Sequence, residues 1–225
     1  MIFPIGDDQV RGGTFPLFSY AFIALNVAVF VYELQLMSNG SFDQFIFEFG
    51  AIPSEITQGQ DLPTLFTSMF LHGGWGHIIG NMLFLWVFAD NIEAVVGNGR
   101  FLIFYLLGGL AAHAAHIYFN FNSEIPTVGA SGAISAVMGA YIVMFPTSKI
   151  RVLILFFVVK IPAFIFLGFW IFQQVNSGFA SLSQLAEEAG VAWWAHIGGF
   201  VFGVLAGIFF KTRGFTEKAL VREYA

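Results

Sequence analysis

The chain is written as long apolar runs broken by short polar connections. Six runs approach the about 20 residues that a helix needs to cross a hydrocarbon core: 15–36, 77–96, 101–119, 128–145, 161–177 and 191–210. The fifth is led in by 152-VLILFFVVK-160, which is apolar but carries Lys160 and precedes Pro162. That lead-in reads as interfacial, with Lys160 snorkelling to the surface and Pro162 in the first helical turn. The connection 37–71 is rich in Phe and Leu, as in 42-FDQFIFEFGAIP-53 and 65-LFTSMFLH-72, yet too broken to span. Non-helical backbone at membrane depth must be satisfied by protein or by a wet cavity. This loop is therefore expected partly in the outer leaflet, against the bundle. The pattern predicts an all-α, polytopic membrane protein: one domain over residues 1–225, built as a bundle of six transmembrane helices.

Composition narrows the picture. Hydrophobic residues make up 57% of the chain and charged residues 10%, against about a quarter charged in soluble domains. No polar stretch remains for a second domain, and nothing suggests nucleic acid or a soluble partner; membrane lipid is the implied surrounding. With no cysteine, disulfides, thiolate metal sites and a cysteine nucleophile are excluded. The start, 1-MIFPIGDDQVRGG-13, lacks the basic opening and cleavage site of a signal peptide, so the first run is expected to be kept as a span.

Placement of charge says more than the net −5. Arg11, Arg100, Lys149, Arg151, Lys211, Arg213, Lys218 and Arg222 all fall on one side of the predicted bundle. The opposite loops hold Glu48, Glu55, Asp61, Glu124, Glu187 and Glu188 but no Lys or Arg. The positive-inside rule then puts both termini in the cytoplasm. Without transit-peptide features, a prokaryotic plasma membrane is expected.

Candidate chemistry gathers at one depth. Ser131 in 129-GASG-132, His196, His77 and Asn81 all lie within about 10 Å of the predicted outer surface. Gly199, Gly203 and Gly207 form a stripe on the last span, with His196 close to the same face; Ser131, Ser135 and Gly139 form a small-residue face on the fourth. Such faces let helices pack backbone to backbone and would bring His196 within hydrogen-bond reach of Ser131. That pair has the composition of a nucleophile and its base. His77 and Asn81, four residues apart, share a helix face and both donate; with the Ser131 amide they could hold an oxyanion. Asp90 and Glu93 lie about 20 Å from His77 along the second span, so a Ser–His dyad is read, without an acidic third member.

Taken singly, these residues have plainer readings. A lone serine among glycines packs more often than it reacts, whereas an intramembrane histidine is costly enough to imply use. His72, in 72-HGGWGH-77, is read as shaping water access; His113 and His116, without a companion carboxylate, as bonding helix carbonyls rather than a metal. Asn26 reads as an interhelical hydrogen bond, and Glu93 as fixing the turn into the third span.

Together, 77-HIIGN-81, 129-GASG-132 and 195-AHIGGFVFG-203, in this order on spans two, four and six, resemble the rhomboid intramembrane serine proteases. The likeness extends through 84-FLWVFADNIEAVVG-97 and 162-PAFIFLGFWIFQQ-174 over nearly the whole chain. It implies Ser131 as nucleophile, His196 as general base, and His77, Asn81 and the Ser131 amide as oxyanion hole. Gly129 would lie beside that hole, with Gly132 and Gly199 allowing close helix packing. It implies transmembrane protein substrates cut near the outer face at small residues, a gate in span five, a cap in 177-SGFASLSQLAEEAG-190, and neither metal nor cofactor. Three positions depart from the family pattern. The first loop has no Trp-Arg pair, Asp90 stands at a common glycine, and Ser135 stands where an aromatic ring often supports the histidine. Anchoring of the loop must therefore differ, and Trp193 or Trp194 becomes the candidate support. The competing reading is a non-proteolytic relative that binds and escorts transmembrane helices. A channel is disfavoured because no polar path continues inward, and a lipid esterase because Gly132 directly follows the serine.

Overall fold

The computed structural model describes residues 2–10, 13–182 and 191–216. Arg11, Lys218, Arg222 and the 183–190 part of the expected cap lie outside the described residues. The order is β1 (Ile2–Gly6), α1 (Leu17–Asn39), α2 (Phe42–Phe49), α3 (Pro53–Thr57), α4 (Thr64–Thr67), a 3-10 turn (Ser68–Phe70), α5 (Trp75–Val96), α6 (Asn98–Phe119), α7 (Ser131–Met144), β2 (Lys149–Ile154), β3 (Phe157–Pro162), α8 (Ala163–Ser181) and α9 (Trp193–Thr212). The molecule is a mostly helical, polytopic membrane protein. α1, α5, α6, α8 and α9 are long and apolar enough to cross a bilayer. Their outward side chains, such as Leu25, Val31, Ile103, Phe172 and Leu205, are exposed, as a lipid-facing surface requires.

α7 is different. It has 14 residues, about 21 Å at 1.5 Å per residue, and is buried from Gly132 to Tyr141. Protein surrounds it, so it needs neither full length nor a lipid-facing stripe. A non-helical approach, paired with Ala51 at Thr127 and turning at Ala130, leads into the helix start at Ser131.

α9 lies directly against α7, and the glycine stripe is the reason. A Cβ on Gly199 would strike the Gly132 carbonyl and one on Gly203 the Ala136 carbonyl; one on Gly207 would come within 2.9 Å of the Ala140 Cα. Three successive turns of α9 thus rest on the backbone of α7. At the far end the Lys211 ammonium donates to the Val143 carbonyl at 3.2 Å, satisfying a last-turn acceptor.

The first loop is held by specific contacts, which answers how it is anchored without a Trp-Arg pair. Ala51 and Thr127 exchange both backbone bonds, at 3.1 and 2.9 Å. The Met69 side chain fills the space beside Gly109, where any Cβ would collide with it. The buried Glu33 carboxylate accepts from the His72 amide at 3.0 and 3.2 Å.

Three local expectations are corrected. The lead-in to span five is a β-hairpin, made of the end of β2, the turn and most of β3, with Lys160 opposite Arg151 and Pro162 at the N-cap of α8. Strand order is β1-β2-β3, so the N-terminal strand is tied to the end of the bundle opposite Ser131. Asn26 donates to Phe22 of its own helix at 2.7 Å rather than across helices. The fully buried Glu93 carboxylate caps α1, accepting from the amides of Phe18 and Ser19 at 2.8 and 2.7 Å and from the Ser19 hydroxyl at 2.7 Å. Those amides belong to a first turn that has no acceptors of its own.

Beside β1, Asp7 is buried among Asn91 and Gln9, which donate to it at 2.6 and 2.8 Å, and Tyr141, which also donates. Burial outweighs these donors and, with the nearby Asp90, pushes its carboxyl up from 3.8 to about 7. The folded chain therefore keeps a proton between about pH 4 and 7 that the unfolded chain has lost, so this contribution to stability falls as pH rises through that window. In detergent, the wild type should unfold at a higher temperature at pH 5.5 than at pH 8. Asp7→Asn, neutral at both, should remove most of that difference.

Candidate active site

The site is built from the starts of α5, α7 and α9, with α8 closing one side. Ser131 is the first residue of α7, His196 the fourth of α9, and His77 and Asn81 the third and seventh of α5. Because α9 rests on α7 through Gly199, the His196 ring reaches across, and its Nε2 lies 2.9 Å from the Ser131 hydroxyl. Both border a cavity of about 510 Å³ together with Gly73, His77, Asn81 and Trp170.

The oxyanion-hole candidates converge on the same space. His77 Nδ1 accepts from the Gly73 amide at 3.3 Å; in a neutral ring the proton then sits on Nε2, which becomes a donor. The buried Asn81 amide nitrogen has no hydrogen-bond partner among the described residues. An unsatisfied buried donor is costly unless something uses it. Both atoms face Gly129, where a Cβ would lie 2.6 Å from His77 Nε2 and 3.5 Å from the Asn81 amide nitrogen. Gly129 also has φ +121°, which side-chain-bearing residues rarely adopt. The Ser68 carbonyl accepts its amide at 2.8 Å, so the first loop holds the backbone two residues before the serine. Starting a helix at Ser131 leaves first-turn amides without intrahelical acceptors and puts the positive end of the helix at the hydroxyl.

Gly132 allows α6 to approach, since a Cβ there would lie 2.6 Å from that of Ala112. His72 is not among the cavity's lining. Its fully buried ring packs edge-on behind His77, centroids 5.1 Å apart, and burial lowers its pKa to about 4, keeping it neutral. The buried His113 pairs with the Ser68 hydroxyl at 3.1 Å, and His116 lies near the Asn120 amide at 3.5 Å. No group of three metal-ligating side chains occurs among the described residues.

Ring contacts to His196 come from Trp193, one of the two expected candidates, and from α8, which was not expected. The Ser135 hydroxyl donates to the Ser131 carbonyl at 2.6 Å. Trp194 stacks on Phe119 at 3.6 Å, whereas Trp193 stands edge-on to the His196 ring at 6.3 Å and Trp170 of α8 tilts against it at 5.8 Å. Gln174, one turn beyond Trp170, brings its amide oxygen to 2.7 Å from His196 Nδ1. The sequence reading missed both residues; the available signal was a glutamine pair inside an apolar span.

A helical membrane bundle in which a serine–histidine pair borders a cavity beside an unpaired amide donor has the make-up of an intramembrane hydrolase site. The chain belongs to the rhomboid family: the Rhomboid domain model matches residues 59–213. It is 34% identical over 125 residues to Rhomboid protease GluP of Bacillus subtilis (strain 168), covering 56% of this chain and 24% of that protein. Over 198 residues it is 27% identical to Rhomboid protein 1, mitochondrial, of Saccharomyces cerevisiae, covering 84% and 51%. Over 151 residues it is 28% identical to Presenilin-associated rhomboid-like protein A, mitochondrial, of Danio rerio, covering 64% and 36%. The chain thus spans about a quarter to a half of the length of these curated relatives. Membership supports an intramembrane protease-type function. The relatives' names include mitochondrial and bacterial proteins, so the expected prokaryotic plasma membrane draws no support from them.

Proposed function

We propose that the protein is a serine endopeptidase that cuts transmembrane or membrane-anchored proteins near the outer face of the membrane, with both termini on the cytoplasmic side. The observation that carries the reading is the 2.9 Å contact between His196 Nε2 and the Ser131 hydroxyl at the edge of the cavity. His196 takes the hydroxyl proton as the oxygen attacks the substrate carbonyl carbon. The oxyanion that forms accepts hydrogen bonds from His77 Nε2–H, the Asn81 amide and the Ser131 backbone amide. His196 then returns the proton to the leaving nitrogen, the C–N bond breaks, and an ester to Ser131 remains. Water, deprotonated by His196, releases the acid and regenerates the serine. No cofactor is required by these steps.

The test uses the full chain in proteoliposomes with a model single-span substrate carrying a small residue near its outer end. Mass analysis should show one cut with the wild type and none with Ser131→Ala. A wild type that binds several such substrates and cuts none would favour the helix-escort reading instead.

A further inference from the structure

α8 turns Trp170 and Gln174 toward His196. Gln174 is buried within a helix whose other faces carry exposed Phe164, Ile165, Phe169 and Phe172. Its amide nitrogen faces the Trp170 carbonyl at 3.4 Å, and its oxygen lies 2.7 Å from His196 Nδ1. An amide oxygen only accepts and an amide nitrogen only donates. With the nitrogen directed at a carbonyl, the oxygen is what meets the ring, so Nδ1 must carry the proton. The lone pair of the neutral imidazole is then on Nε2, 2.9 Å from the Ser131 hydroxyl. Only that tautomer can take the serine proton. The other tautomer would point N–H at the hydroxyl and leave the base without a lone pair for it.

We infer that Gln174 is the third member of the site, a positioning residue that fixes His196 in its proton-accepting tautomer through the Nδ1–H to amide-oxygen bond. The inference rests on the proteolytic reading and deepens it. Soluble serine hydrolases assign this task to a buried carboxylate. Within a bilayer a lone carboxylate is expensive, and an amide offers the same acceptor without charge. The acceptor also belongs to a different helix from either member of the dyad. The base is therefore ready only while α8 is packed against α9; moving α8 outward by a side chain's width removes the acceptor.

The experiment compares wild type, Gln174→Met, Gln174→Glu and, as control, Ser131→Ala, all as full chains in proteoliposomes. Gln174→Met keeps the volume and loses the acceptor. Its kcat should fall about 10- to 100-fold, part of what general base catalysis contributes, while KM stays within about threefold. Gln174→Glu should restore kcat at alkaline pH and move the acidic limb of the kcat profile up by about one unit, because a carboxylate favours the imidazolium. Nitrogen-15 NMR of the His196 ring reads the tautomer without any turnover: the proton should sit on Nδ1 in wild type and distribute over both nitrogens in Gln174→Met. Wild-type kcat in a folded Gln174→Met, an unmoved acidic limb in Gln174→Glu, or an Nε2–H ring in wild type would each overturn the role of Gln174. Cleavage by Ser131→Ala would instead sink the proteolytic assignment, while the NMR result on the ring would stand by itself.

Discussion

Ser131→Ala, His196→Ala and the double variant should lose the same amount of activity, about four orders of magnitude or more in kcat. A nucleophile and its base act as one unit: without the base the hydroxyl is a poor attacker, and without the hydroxyl the base has nothing to activate. The two losses therefore should not add. The 2.9 Å contact across α7 and α9 is what couples them. A quantitative cleavage assay over the four proteins measures this directly. Losses that multiplied in the double variant would mean two independent contributions and would exclude a dyad. Thermal unfolding of each variant should stay close to wild type, since both substitutions remove atoms at the edge of a cavity.

The second large effect concerns the fold. Gly203→Val should prevent α9 from docking, leaving little folded protein and no cleavage. An added Cβ would overlap the Ala136 carbonyl, and the neighbouring Cα would be only 2.8 Å away. Overpacking a core costs about 1–3 kcal/mol when side chains can shift; here the obstacle is backbone in the central helix, so the cost should exceed that range. Gly203→Ala should be the milder version. Gly168 in α8 supplies the control, because an added Cβ there meets nothing within 4 Å. Gly168→Ala should be neutral or stabilise by up to about 1 kcal/mol. Unfolding curves in detergent rank the three; equal stability of Gly203→Val and wild type would refute the backbone-to-backbone packing.

The spans were legible because lipid allows so few polar residues that length and composition reveal a crossing helix. The same scarcity exposed Ser131, His196, His77 and Asn81, which the fold brings around one cavity. The glycine stripe was legible too, since its spacing of four has one geometric meaning in a helix. What stayed hidden depended on partners distant in sequence. Glu93 offered no hint that it would cap a helix 74 residues earlier. In β2, buried Ile150 and Val152 alternate with exposed Lys149 and Arg151, but the apolar residues after them masked this short period-two signal. Gln174 looked like one more interruption in an apolar span; only its place on α8 opposite His196 gives it meaning. His72 shows the reverse error, a loop histidine near the motif that turns inward and packs behind the site.

The separation of the proposed nucleophile and base along the chain has a consequence for the protein's birth. His196 follows Ser131 by 65 residues, and a ribosome adds about 5–20 residues each second. For roughly 3–13 seconds of synthesis, by that rate, each new copy holds a serine with no base to awaken it. On the proposed reading the serine is thus made early and armed last, when α9 closes on α7.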